Sequence, residues 1–170
     1  MNNKNNGMHL EVLINKSIGL FNLQYQAFFK KRCVDIIIKN INNSYVQGKI
    51  KQKSETDYYG FYKGDYFDFE AKQTNKNSFL INQIQPHQLA HLYLIHKNAG
   101  FSFLIICFIN YNLYFIITFQ QLINYYQETK RKSIPFQWFK DQCIELEIIF
   151  PGVINFKKMI SDLKSKYYND

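Results

Sequence analysis

Cysteine is sparse in this chain, and its spacing excludes two classes of protein. Cys33, Cys107 and Cys143 are far apart and odd in number, and no CxxC pair is present. A zinc knot and a disulfide framework are therefore both unexpected. That usage suits a reducing compartment, and a cytoplasmic location is the expectation. The opening stretch, MNNKNNGMHLEV, lacks the apolar core of a signal peptide. No internal repeat and no Gly/Ser linker divides the sequence, so one domain over residues 1–170 is expected. Arginine is scarce, confined to Arg32 and Arg131, whereas lysine, asparagine, isoleucine, phenylalanine and tyrosine abound. An AT-rich coding bias explains that skew. The net charge of +8 favours an anionic partner, nucleic acid or a membrane surface, but where the lysines fall says more than how many there are.

What is present is ample apolar material. With 46% hydrophobic and 18% aromatic residues, the chain can offset its folding entropy and should be globular. The run FSFLIICFINYNLYFIITF, residues 101–119, is long enough to suggest a membrane span. Asn110-Tyr111-Asn112 interrupts it with turn residues, and the Phe/Ile-rich flanks suit strands. Two central strands joined by a tight turn are expected instead, with no membrane partner. Leu10, Leu13, Ile14, Ile18 and Phe21 fall at helical spacing and predict a first helix from about Met8. Residues 26–32 and 34–39 read as strands, followed by a polar, basic arm or loop at 40–54. Strands over 56–62 and 66–72 flank Lys63-Gly64-Asp65, a hairpin signal. Pro86 opens a helix that runs through Lys97 to Asn98-Ala99-Gly100. Helices are expected again near 120–129, 135–141 and 156–167. The order predicts an α/β fold with a mixed sheet and helices packed on it.

The chemistry concentrates between Ser54 and Gln88. If residues 67–72 form a strand, Phe67, Phe69 and Ala71 point to one face, and Asp68, Glu70 and Lys72 to the other. Asp57, on the preceding strand, reaches the same face. Two carboxylates about 4 Å apart repel by about 4 kcal/mol at an effective dielectric near 20. A divalent cation removes that penalty, and hard oxygen donors without histidine or cysteine suit Mg²⁺. Lys72 would orient water or neutralise charge developing on a phosphate. The plain alternative is a solvated Glu70–Lys72 surface pair, worth little. His87 and His91, four apart on a helix, resemble zinc ligands only superficially, because Gln88 stands where HExxH needs glutamate. Tyr125-Tyr126 and Tyr167-Tyr168 read as packing or surface aromatics, and Trp138 as a core or interface anchor.

Asp57, Tyr62-Lys63-Gly64, Asp68-Phe69-Glu70-Ala71-Lys72, Asn77-Ser78-Phe79 and His87-Gln88 together resemble the RecU family of Holliday junction resolvases, nucleases of the restriction-endonuclease-like fold. Asn6-Gly7-Met8, Leu10-Glu11 and Ile14-Asn15 resemble the family's opening helix, and Arg131-Lys132-Ser133-Ile134 its GRKSI segment. The resemblance implies a central mixed sheet flanked by helices with a protruding basic arm. It implies that Asp57, Glu70 and Gln88 hold Mg²⁺ and that Lys72 stabilises the transition state. Relatives often place a threonine at the metal site two residues before the aspartate. Here that position is Glu55, expected on the strand face of Asp57 and thus a further ligand or an excess negative charge. Asp68 receives a supporting role. The chain departs from the family pattern at Asn6 and Asp65, where basic residues are usual, and at Arg32-Cys33, which replaces a proline-containing turn.

Basic residues group at Lys30, Lys31 and Arg32, at Lys49, Lys51 and Lys53 alternating along the arm, at Lys63, and at Lys130, Arg131 and Lys132. These are the candidate contacts to branched DNA, although an ordinary solvated surface explains any one of them equally well. The resemblance further implies a homodimer that nicks both sides of a four-way junction, with the recombinase RecA as a possible partner. A second function stays open at this point: a non-cleaving junction binder that modulates RecA-mediated strand exchange.

Overall fold

The structure, a computed structural model, describes residues 6–168 except 44 and 53. In chain order its elements are α1 (Asn6–Tyr25), β1 (Phe28–Lys31), β2 (Asp35–Asn42), β3 (Tyr45–Gln52), β4 (Tyr58–Tyr62), β5 (Asp65–Thr74), β6 (Ser78–Leu80), α2 (Pro86–Lys97), β7 (Phe101–Phe108), β8 (Leu113–Thr118), α3 (Phe119–Thr129), β9 (Ser133–Pro135), α4 (Phe136–Gln142), β10 (Ile144–Glu145), β11 (Ile148–Ile149), β12 (Val153–Ile154) and α5 (Phe156–Tyr168). Six strands form the central sheet in the order β1-β4-β5-β7-β8-β10. Only β5 and β7 run parallel, joined through α2; the other pairs are antiparallel. The expected mixed sheet with flanking helices is therefore present.

Alternation along β5 and β7 divides the core in two. Phe67, Phe69, Phe101, Phe103 and Ile105 pack with Leu10, Ile14, Ile18 and Phe21 of α1 and with Met159 and Leu163 of α5. Leu104, Ile106 and Phe108 pack on the opposite side with Leu92 of α2, Leu122 of α3 and Phe139 of α4. Register turns the aromatic residues into ladders across neighbouring strands. Tyr58, Phe69 and Phe103 are direct cross-strand partners, and their rings stack at 5.0 and 4.9 Å. Residues 101–119 supply β7 and β8, both buried, and no helix among the described residues is long and apolar enough to cross a membrane.

Local chemistry explains the boundaries. Lys63 and Gly64 both have positive φ (51° and 90°), the geometry of a two-residue hairpin turn that matches strand twist. At α2, Pro86 occupies the first turn, and the Gln88 side chain accepts from the Gln85 backbone N–H at 3.0 Å. Thr118 and Gln121 cap α3 reciprocally, each bond 3.1 Å.

Two boundaries differ from expectation. The arm is longer than 40–54: β2 and β3 pair only with each other, as a two-stranded ribbon, and every described residue from 33 to 51 is exposed. Ile36, Ile37 and Ile38, within the strand expected over 34–39, are each more than half exposed. Isoleucine there serves strand propensity rather than burial. The second difference is that β4 starts at Tyr58, not 56, because residues 55–57 bend.

Candidate active site

On the face of β5 beneath α2, a carboxylate, an ammonium and an amide meet at Glu70. The Glu70 side chain is buried, and its Oε1 accepts from Lys72 Nζ at 2.6 Å and from Gln88 Nε2 at 2.6 Å. Its Oε2 accepts from the Asp57 backbone N–H at 3.1 Å. Asp57 reciprocates: its Oδ2 accepts from the Ala71 N–H at 3.0 Å. The bend at 55–57 and the centre of β5 are thus laced together. Of the sequence-predicted site residues, Asp57, Glu70, Lys72 and Gln88 come together here.

Burial first, and then the negative charge of Asp57, push the Glu70 carboxyl up to about 7, against the opposing pull of Lys72. A raised folded-state value means that the folded protein holds this proton more tightly than the unfolded chain does. The associated stability is fully present below the ordinary value of 4.5 and is lost as pH rises through about 7. In EDTA, urea midpoints of the native sequence should therefore fall relative to Glu70→Gln across that window. A gap that does not change with pH contradicts the raised value.

The donor set fits a hard divalent cation. Asp57 and Glu70 supply two neighbouring carboxylates, and their mutual repulsion is what a cation relieves. Gln88 fits conditionally: its oxygen accepts from Gln85 while its nitrogen faces Glu70, so the amide must turn over to offer oxygen. Glu55 does not complete the set. Among the described residues, no group of three or more His, Cys, Asp or Glu side chains is arranged to hold a metal. The expectation for Glu55 relied on strand alternation, and the chain bends at that point.

A second polar centre, which sequence reasoning undervalued, lies beside the first. Asp68, fully buried, accepts from Arg32 Nη2 at 2.5 Å, from the Tyr66 hydroxyl at 2.9 Å and from the Thr56 hydroxyl, with His91 Nε2 3.1 Å away. Burial and Asp68 push the Tyr66 hydroxyl up to about 12, so it remains a donor. Alternation did place Asp68 on this face. Its partner, Arg32, belongs to a distant edge and carries no local sequence signal. His91 faces Asp68, whereas His87 is exposed, so the two do not form a zinc pair.

The basic residues divide by the register of β1. Lys30 is exposed, and it lies opposite Tyr59 and thence Asp68, on the site's face. Lys31 points to the other face and pairs with Glu11 of α1 at 2.5 Å. Arg32, a candidate DNA contact, is engaged with Asp68. Lys49 and Lys51 are exposed on β3, but the β2–β3 register breaks at Lys51, so alternation does not carry through to it, and Lys53 lies outside the described residues. Lys63 stands exposed at the β4–β5 turn, and Lys130, Arg131 and Lys132 are exposed after α3. Asp65, where a basic residue was expected, pairs with Lys164 of α5 at 2.7 Å, which gives that departure a structural use. Trp138 packs edge-on against Tyr125 and Phe139, as a core anchor should.

The sequence pattern of the RecU family, Recombination protein U, matches residues 5–162. A Holliday junction resolvase RecU of Ureaplasma parvum serovar 3 is 95% identical over the full length of both chains. One from Mycoplasmopsis pulmonis is 31% identical, covering 94% of this chain and 96% of its own length. The solved structure of the Holliday junction resolvase Hjc from Archaeoglobus fulgidus overlays with a TM-score of 0.45 at 10% identity, covering 82% of this chain and 95% of that one. That overlay is too loose to carry a functional reading. The family pattern and the full-length relatives are sufficient: the chain belongs to the RecU family.

Proposed function

We propose that this protein is a Mg²⁺-dependent endonuclease that resolves four-way DNA junctions by paired nicks, acting as a homodimer in the cytoplasm during recombination and repair. The observation that carries the reading is the convergence of Asp57, Glu70, Lys72 and Gln88 around one buried carboxylate. Family membership and the names of the full-length relatives support it.

Asp57 and Glu70 would hold the ion, joined by Gln88 once its amide turns. When bound, Mg²⁺ supplies Lewis-acid charge at the scissile phosphate. Lys72 keeps about a fifth of its side chain exposed beside Glu70, which leaves it open to an approaching phosphate. There it orients water and offsets charge developing on the phosphate. Asp57 holds its carboxylate toward β5 through the Ala71 N–H. Lys30, Lys49, Lys51, Lys63, Lys130, Arg131 and Lys132 are the proposed phosphate contacts, with the β2–β3 ribbon reaching into the junction. Each contact should add to the salt dependence of binding.

A synthetic four-way junction incubated with the protein and Mg²⁺ tests the proposal. The native sequence should introduce symmetric nicks, and Glu70→Ala should lose at least about 10²-fold in rate while still binding the junction. Binding without nicks in both proteins would leave the non-cleaving junction binder, acting on strand exchange with RecA, as the function.

A further inference from the structure

We propose that Arg32 is a positioning residue that splints the bend bearing Asp57, and that it does not act as a phosphate contact. The inference rests on the nuclease reading above, since it concerns a carboxylate assigned there to the cation.

Asp57 precedes β4 and lies in the bend at 55–57, so the backbone that carries it needs an anchor other than the strand ladder. Arg32 supplies that anchor at consecutive residues. Its backbone N–H donates to the Asp57 carbonyl at 2.8 Å. Its Nε donates to the Thr56 hydroxyl oxygen at 3.2 Å, and the Thr56 hydroxyl in turn donates to Asp68. Its Nη2 donates to Asp68 at 2.5 Å and to the Tyr66 hydroxyl oxygen at 3.2 Å. Thr56 and Asp68 are both fully buried. The guanidinium also lies 4.5 Å over the Tyr59 ring. Burial alone would lower the guanidinium's pKa, but the charge and hydrogen bond of Asp68 hold it above its ordinary value.

This arrangement requires the planar fork of arginine. Nε reaches Thr56 while Nη2 reaches Asp68 and Tyr66, a fixed planar spacing of donors that a lysine ammonium does not reproduce. Nε and Nη2 are engaged inside the protein and 19% of the side chain is exposed, which limits what it offers a phosphate. Groups that orient a ligand to a metal from behind tune the affinity of the site strongly.

Three measurements on Arg32→Lys and Thr56→Val test the proposal. They are the Mg²⁺ concentration for half-maximal junction cleavage, the rise in Tm that Mg²⁺ produces without DNA, and the salt dependence of junction binding in EDTA. In both variants the Mg²⁺ requirement should rise about 10-fold to 100-fold and the Mg²⁺-induced Tm rise should shrink, with the salt dependence unchanged. Arg32→Gln paired with Asp68→Asn removes both buried charges together and so avoids an uncompensated carboxylate. It should weaken Mg²⁺ in the same way. A salt slope reduced by about one in this double variant, with its Mg²⁺ response intact, would make Arg32 a phosphate contact and overturn the proposal. An unchanged Mg²⁺ requirement in Thr56→Val would overturn it too. If the native protein binds Mg²⁺ but cuts no junction, the nuclease reading fails, and the Tm measurement still decides the role of Arg32.

Discussion

Lys72→Ala should slow Mg²⁺-dependent junction cleavage by about 10²–10³-fold, the loss typical of removing one group that stabilises transition-state charge. Junction affinity should be nearly unchanged. On the proposed mechanism Lys72 acts twice. Its Nζ, 2.6 Å from Glu70 Oε1 and partly open to solvent, offsets charge developing on the phosphate. It also favours the ionised form of Glu70, opposing the burial and the Asp57 charge that raise that carboxyl to about 7. Its removal should therefore push the Glu70 value higher still. The rise of activity with pH should move to higher pH in the variant, because a ligating carboxylate must be deprotonated. Single-turnover cleavage measured across pH reads both effects. A variant that cuts within about twofold of the native rate would remove Lys72 from the chemistry.

Phe69→Ala should cost about 3–5 kcal/mol of stability, a large part of the roughly 5–15 kcal/mol that holds a typical domain together. Phe69 is fully buried, and its ring is stacked between Tyr58 at 5.0 Å and Phe103 at 4.9 Å. Truncation would leave a cavity at the middle of the sheet, between Asp68 and Glu70 in sequence, where β4, β5 and β7 meet. Neighbouring rings fixed by strand register collapse poorly into such a space. Equilibrium urea unfolding measures the loss, and a value below about 1 kcal/mol would mean that the ladder contributes little. The Mg²⁺ response should weaken in parallel, since the same strand carries Glu70 and Lys72.

Much of the architecture was legible because local chemistry marks it. Pro86 and the Asn98-Ala99-Gly100 stop define α2 almost to the residue. Asn112, at a φ of 50°, ends the turn that divides 101–119 into β7 and β8. Period-two alternation assigned Phe67 and Phe69 to one face and Asp68 and Glu70 to the other, and the two cores respect it. Alternation has a limit at Glu55: residues 55–57 bend, so the strand period that relates Glu55 to Asp57 does not hold there. The strand expected over 34–39 is present as β2, and its Ile36-Ile37-Ile38 run lies exposed because a ribbon that leaves the sheet carries strand-forming residues without a core to receive them.

Spacing along β5, the turn at Lys63-Gly64 and the caps of α2 and α3 depend on neighbours a few residues away, so the order of residues suffices to specify them. The bringing together of Arg32, Thr56, Asp68 and His91 does not work that way. Arg32 reaches Asp68 across 36 positions, and that meeting exists only because β1 and β5 both pair with β4 and because α2 lies over the same face. Whether a buried charge finds a partner is settled by such long-range pairing, and so an arginine at the edge of the sheet comes to meet a buried aspartate at its centre.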